Sequence, residues 1–472
     1  YVSGQAPINF DGSMMQGRVG ENLSQEEGYK AARQVGLTML STILTHYGDI
    51  DKVKRIVKES YLLNTKEVLD HKYVKRLFIA RFISNFGNGM GPIALAFGIL
   101  ALPNGSANML GLVLGVTTVL FLIMLPFGGV IADKYGRARM VGLTDMAAGL
   151  VLFIQVFYFA NGNVPIAVLL ITNGFFGLMW GIFWSAFSGL MPAVLPEAGL
   201  QKGNALNAFM TNAGVILGAA AAGLLIDVFG VAFTLAIDAA SFFISGLMIF
   251  TFRHLTPRAK HTENTMLDDL LHGWKVFLSF RWIVIIVCAF SFIVMCWAAA
   301  ENVLGPLIAL EHFNGPKSWS FVITAESAGL IVGSIIAIKV KPKYPLRFLM
   351  LSSFTITFYI WSLAKPQSLL MIAFGAFLFG ITLDLWGTLW STALQRKVPR
   401  DSLSRVSSFD AMGSMMFRPI GLAISAPLST LLGIENFLQI LAAITVVAII
   451  VPLLDPQVRN MSYEDMSVKR NL

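Results

Sequence analysis

From Arg76 onward the chain is a series of long apolar runs broken by short polar stretches. Twelve runs can be counted, at about 77–102, 108–132, 140–160, 165–191, 204–226, 229–251, 283–304, 319–339, 346–364, 368–392, 406–430 and 435–454. Each reaches the ~20 residues that a helix needs to cross the hydrocarbon core of a bilayer. Backbone polar groups in lipid must be satisfied within their own segment, so the runs predict helices. They are spans 1 to 12 in chain order.

The polar stretches are not alike. The loops between spans 2–3, 4–5, 6–7, 8–9 and 10–11 hold seventeen Lys and Arg, whereas the opposite loops hold only Lys317 and Lys365. This asymmetry predicts that the base-rich loops and both termini are cytoplasmic, in a plasma (inner) membrane. It also accounts for the net charge of +8 without nucleic acid. Charged residues make up 13% of the chain, against about 25% in soluble proteins, as a polytopic membrane protein requires. Cys288 and Cys296 share span 7 eight positions apart, about 12 Å along a helix axis, too far to bridge. No metal or haem spacing and no nucleotide-binding loop occurs, so neither a cofactor nor ATP is expected. The chain opens on Tyr1 rather than Met and is expected to begin inside a longer reading frame or after processing.

The predicted organisation is a segment at 1–60, a linker at 61–75, a six-helix half at 76–252, a loop at 253–282, a second half at 283–455 and a tail at 456–472. In the long loop, Met266, Leu267, Leu270, Leu271, Trp274, Phe277 and Leu278 fall on one side of a helical wheel, opposite Asp268, Asp269, His272 and Lys275. That pattern predicts an interfacial helix. A shift of 203 residues places Pro196 on Pro399, Leu200 on Leu403, Asn207 on Asp410, Ala208 on Ala411 and Gly218 on Gly421. The halves therefore repeat, as in transporters that rock about a central site.

The most informative polar stretch is 128–139, between spans 2 and 3, where Gly129, Asp133, Lys134, Gly136, Arg137 and Arg139 fill the pattern G-x-x-x-D-[RK]-x-G-R-x-R. This stretch resembles the loop between helices 2 and 3 of the major facilitator superfamily, with Ala138 where many members carry a third base. The resemblance implies an all-α twelve-helix fold. It also implies that Asp133 meets the N-terminal end of span 11 and latches one conformation, where the helix dipole favours an anion. Gly129 would allow close helix approach, Gly136 a turn, and Arg137 and Arg139 pairing with acids or lipid phosphates. In span 5, Gly214, Gly218, Ala219, Ala222 and Gly223 resemble the antiporter motif G-x-x-x-G-P-x-x-G-G, with Ala in place of Pro and of one Gly. Small residues at this spacing also serve generic helix packing. The phrases at 190–196, 236–242 and 395–406 resemble the macrolide-efflux and enterobactin-exporter-like branch.

Charges within the spans are costly and commonly functional. Asp145 and Asp238, on spans 3 and 6, are expected to bond a neighbouring helix. Glu301 is placed at the outer end of span 7, and Asp410 at the start of span 11, where hydration suffices for both. Asp384 lies about 13 Å and Arg418 about 18 Å into their spans, so an Asp384–Arg418 pair is possible. Asp384 is the first candidate for a protonatable site, followed by Glu326. Asn85, Asn88, Trp180, Trp184 and Trp386 are candidates for an aromatic, weakly polar substrate cavity.

The segment before the spans reads differently. Ser24 and Glu27 form a capping box ahead of apolar positions Ala31, Ala32, Val35, Leu37, Leu40 and Ile43. Residues 2–7, 17–33 and 48–58 resemble the first part of RidA/YjgF-type proteins, trimeric imine deaminases with an α/β fold. The part that supplies that family's substrate-binding arginine has no counterpart here, so a truncated, inactive α/β segment is expected. The resemblances together imply proton-coupled efflux of a hydrophobic or amphipathic small molecule by a monomer in the lipid bilayer. Proton-coupled import of a metabolite is a second reading, and a membrane-tethered imine deaminase a third.

Overall fold

The computed structural model describes residues 23–47, 65–255, 274–340, 342–398 and 403–462. The chain divides into two compact units, 1–62 and 63–472. Among the described residues of the first, a helix runs over Gln25–Tyr47. Its start is the reciprocal box expected: the Ser24 amide donates to Glu27 Oε2 at 2.7 Å and the Glu27 amide donates to Ser24 Oγ at 3.2 Å. The same Ser24 donors hold the Glu27 carboxyl below its usual range. The other portions of the RidA-like resemblance, 2–7, 17–22 and 48–58, lie outside the described residues.

The second unit is helical throughout its described residues. Span 1 is Val74–Leu100, span 2 Ala107–Tyr135, span 3 Arg137–Ala160 and span 4 Ile166–Phe187. Spans 5 and 6 are one continuous helical stretch, Glu197–Phe250, broken at Gly230 with φ 82°. Glycine takes that left-handed conformation without steric penalty, so two passes are joined by one residue. Span 7 runs from Arg281 to His312 in three pieces, with a π-helical segment at Ala298–Leu304. Span 8 is Pro316–Lys339, span 9 is split at Ser353 into Pro345–Ser352 and Phe354–Ala364, and span 10 is Leu369–Lys397. Span 11 comprises Leu403–Met415 and Arg418–Leu432, and span 12 is Ile434–Leu454.

The sequence placed the end of span 7 at 304, because Glu301 and Asn302 interrupt the apolar run. The helix in fact continues to His312, which moves Glu301 to about 16 Å from that end. Most of the predicted interfacial helix lies outside the described residues. Its last turn, 274–279, is helical, with Trp274 and Phe277 stacked on each other and both against Phe409 of span 11.

Within each half, glycines let helices touch backbone to backbone. A Cβ on Gly218 of span 5 would strike the Phe86 carbonyl of span 1, and one on Gly380 of span 10 the Glu326 carbonyl of span 8. Between the halves, span 2 meets span 11 and span 5 meets span 8. Those contacts lie at the end of the bundle opposite the 128–139 loop. A Cβ on Gly111 would strike the Leu422 carbonyl, one on Gly223 would lie 2.7 Å from Lys317 Cα, and Lys317 Nζ bonds Asp227 Oδ2 at 2.6 Å.

Candidate functional site: buried charges and an aromatic cleft

The 128–139 loop sits where span 2 ends and span 3 begins, with Gly136 at φ 95° making the turn. Arg137 Nε donates to Asp133 Oδ1 at 2.9 Å and its Nη1 reaches the Ser185 carbonyl at 3.5 Å. Asp133 is therefore engaged within its own loop and stays half exposed. Gly129 has open space beside it, and the close approach belongs to its neighbour Gly128, whose Cβ would lie 2.7 Å from the Gly181 carbonyl of span 4. The expected approach of Gly129 to a facing helix is thus absent from this conformation, because the halves meet at the other end. Lys134 lies over the Tyr135 ring at 5.4 Å.

The glycines of span 5 divide their work. Gly214 and Gly218 seat against span 1, and Gly223 against span 8 of the other half. The buried acids of the first half differ: Asp145 is hydrogen-bonded to a neighbouring helix as expected, whereas Asp238 is not and leaves Oδ1 buried without a partner. Ser245 Oγ donates to Asp145 Oδ2 at 3.0 Å, joining spans 6 and 3. Asp238 lies over Gly87 and Gly91 of span 1, where any Cβ would collide with its carboxylate. Sequence reasoning passed over Arg81, which is buried in span 1, stacks on the Phe187 ring at 4.4 Å and leaves Nε and Nη1 without partners. Its place near the start of an apolar run made it look like an ordinary end anchor.

A small cleft of about 30 Å³ opens between spans 1, 3, 4 and 6, lined by Ser84, Asn88, Thr144 and Asp145 against Phe176, Trp180, Phe183 and Phe242. Of the proposed cavity residues, Asn88 and Trp180 line it. Asn85 is buried and spends its amide on the Arg81 carbonyl at 2.7 Å. Trp184 is largely exposed. Trp386 is buried, with its indole N–H on Ser353 Oγ at 2.8 Å, so it is a packing residue between spans 10 and 9.

In the second half the charges are arranged differently from the sequence expectation. Arg418 does not pair with Asp384. Its guanidinium faces Glu301 and lies 6.0 Å from the Trp297 ring. Asp384 is half-buried, rests against Gly333 of span 8 and leaves Oδ2 without a partner. Asp410 is no hydrated helix start, since Trp390 Nε1 donates to its Oδ2 at 2.9 Å. Glu301, expected to be hydrated, is 7% exposed, as is Glu326. The two carboxyls interact with each other, and Glu301 also with Trp297, Tyr359 and Arg418. The signal that could have found this site was the apolar stretch resuming at Gly305–Leu310, which places Glu301 in mid-span.

Among the described residues, ten helices long and apolar enough to cross a membrane, a charged turn between spans 2 and 3, and buried ionisable side chains in the core together define a polytopic membrane transporter fold. The family model of the Major Facilitator Superfamily matches residues 77–421, and the chain belongs to that family. It is 26% identical over 377 residues to the enterobactin exporter EntS of Escherichia coli O1:K1 / APEC, covering 77% of this chain and 89% of that protein. The EntS of Shigella boydii serotype 18 matches with the same identity and coverage. Among solved structures, the nucleoside transporter NupG superposes with a TM-score of 0.66 at 15% identity, over 81% of this chain and 98% of that one. A POT family transporter in complex with a thioalcohol conjugated peptide superposes with a TM-score of 0.65 at 13% identity, over 82% and 96%.

Proposed function

We propose that this integral membrane transporter exports a hydrophobic or amphipathic small molecule, of drug, macrolide or siderophore type, against proton entry. The observation that carries the reading is the pairing of two environments. The first half holds a small cleft walled by aromatic rings with a few polar groups, a lining whose composition suits an amphipathic ligand once the helices part to admit one. The second half buries acids without full partners, in a membrane where such groups commonly handle protons. Similarity to a named siderophore exporter supports the export direction. Glu301, Glu326 and Asp384 are the acids available to the proton; Arg418 is the counter-charge beside Glu301, and Asp384 stands apart from it. Both termini and the 252–282 loop lie on the cytoplasmic side, and the monomer is the working unit.

The test is energised transport in everted membrane vesicles from cells lacking their own pumps, using a panel of drugs and siderophores. Uptake of at least one compound that collapses with the proton gradient is expected. Accumulation in right-side-out vesicles instead would favour the importer. Cysteine placed at Thr262 should resist labelling by an impermeant reagent added to intact cells. Deleting residues 1–60 should leave transport unchanged, because every span begins after them; loss of transport with normal insertion would give the RidA-like segment a role.

A further inference from the structure

Four spans of the second half bring polar groups to one buried place. Glu301 sits inside the π-helical segment of span 7, Glu326 on span 8, Tyr359 on span 9 and Arg418 on span 11. Glu301 Oε2, Tyr359 OH, Trp297 Nε1 and Arg418 Nε are all buried without hydrogen-bond partners. Each such atom is costly to bury unless something satisfies it. π-helical turns shift the register of a helix by one residue and recur at functional sites. Here the shifted register carries Glu301 inward, at about the same depth as Glu326, some 15 Å from the end of the bundle opposite the 128–139 loop.

Charge then decides what the cluster holds. Spans 2 and 12 also pack on the π-helical segment, and span 12 bears only Glu435, at its far end, while span 2 has no acid or base before Asp133. Two touching carboxyls therefore face one guanidinium and one phenol. Two adjacent carboxylates cannot both ionise cheaply, and one guanidinium balances only one of them. The neutral composition of the site is two carboxyls, one guanidinium and one added proton.

We propose that the Glu301–Glu326 pair is the site that holds the transported proton, shared between the two carboxyls against Arg418, and that Asp384 is not. Asp384 lies beside Gly333, about 10 Å along span 8 from Glu326, outside the cluster. The inference rests on the proton-driven reading above and names its residues. The site also touches the contact between the halves. Arg418 opens the helix whose next turn presents the Pro419 and Leu422 carbonyls to Gly115 and Gly111 of span 2, while Gly421 sits on the Met295 carbonyl of span 7. A proton that releases Arg418 from Glu301 therefore acts on the helix that seals the two halves.

The full chain reconstituted in nanodiscs tests this by infrared difference spectroscopy between alkaline and acidic buffer. The wild type should show the carbonyl band of a buried protonated carboxylic acid. Glu301→Gln and Glu326→Gln should each abolish it, and Asp384→Asn should retain it. Trp297 is the adjacent optical reporter: a pH-dependent fluorescence step should vanish in Trp297→Phe and in Glu301→Gln. Glu301→Asp and Glu326→Asp, which keep the acid, should keep a titrating band if either Gln variant fails to fold. A band lost in Asp384→Asn, or kept in both Gln variants, or missing from the wild type, overturns the assignment. Wild-type vesicles whose export ignores the proton gradient would overturn the proton-driven reading while leaving the infrared titration of the pair intact.

Discussion

Span 2 is packed differently at the two ends of the helical bundle. At the end away from the 128–139 loop, spans 2 and 11 touch at Gly111 and Leu422, and spans 5 and 8 at Gly223 and Lys317. At the loop end Gly129 faces open space and Asp133 bonds Arg137 of its own loop. One end is closed by backbone contact, while at the other, among the described residues, Asp133 bonds only within its own loop, to Arg137, which also reaches span 4. Packed interfaces have discrete arrangements rather than a continuum, so the contrast is the one that a single state of the proposed rocking cycle would show. The glycines at the closed end make it tight, and at the loop end Gly129 has open space beside it.

This comparison can be broken most strongly at Gly223. Gly223→Trp forces a large side chain into a seam where even a Cβ lies 2.7 Å from Lys317 Cα. Overpacking of this kind costs about 1–3 kcal/mol, which shifts a two-state population roughly 5- to 150-fold. A cysteine at Asn88, which lines the cleft, should become faster to alkylate from the Lys317 end. Unchanged labelling would show that the seam is not a gate.

Gly129→Leu is the complementary change and should act through the other state. Nothing lies within contact of Gly129 in this conformation, so the melting temperature should hold. Transport should fall about tenfold, because a seal at the loop end costs about 1.4 kcal/mol more. Full activity in this variant would remove Gly129 from the cycle. The smallest effect is expected from Lys317→Ala. The Lys317–Asp227 pair is half exposed on both sides, and such pairs contribute about 0–1 kcal/mol. Transport should change less than twofold, with the difference shrinking further in high salt.

Much of this architecture was legible in the sequence. Long apolar runs specify helices, the bases mark one face, and the Gly230 break is an ordinary glycine turn. The capping box at Ser24 and Glu27 was legible because its partners are three residues apart. The candidate site was less so, since its pairings join positions far apart in the chain. Depth alone matched Asp384 to Arg418, but rotation about the helix axis decides which side chains meet, and the π-helical turn in span 7 changes that rotation where no residue announces it. Trp386 illustrates the same limit: its spacing suited a cavity wall, and only the helix packing reveals the Ser353 hydroxyl waiting for its indole.

The account stands or falls on whether the two ends move reciprocally. Spin labels at Tyr135 and Gln395 report the distance between the halves at the loop end, and labels at Asn104 and Asn436 report it at the sealed end. Pulsed electron-resonance distances in nanodiscs, at acidic and alkaline pH, should give two populations at each end. As the loop-end distance shortens, the sealed-end distance should lengthen, with matching fractions. A single unchanging distance at both ends, or two distances that lengthen together, would contradict the rocking mechanism.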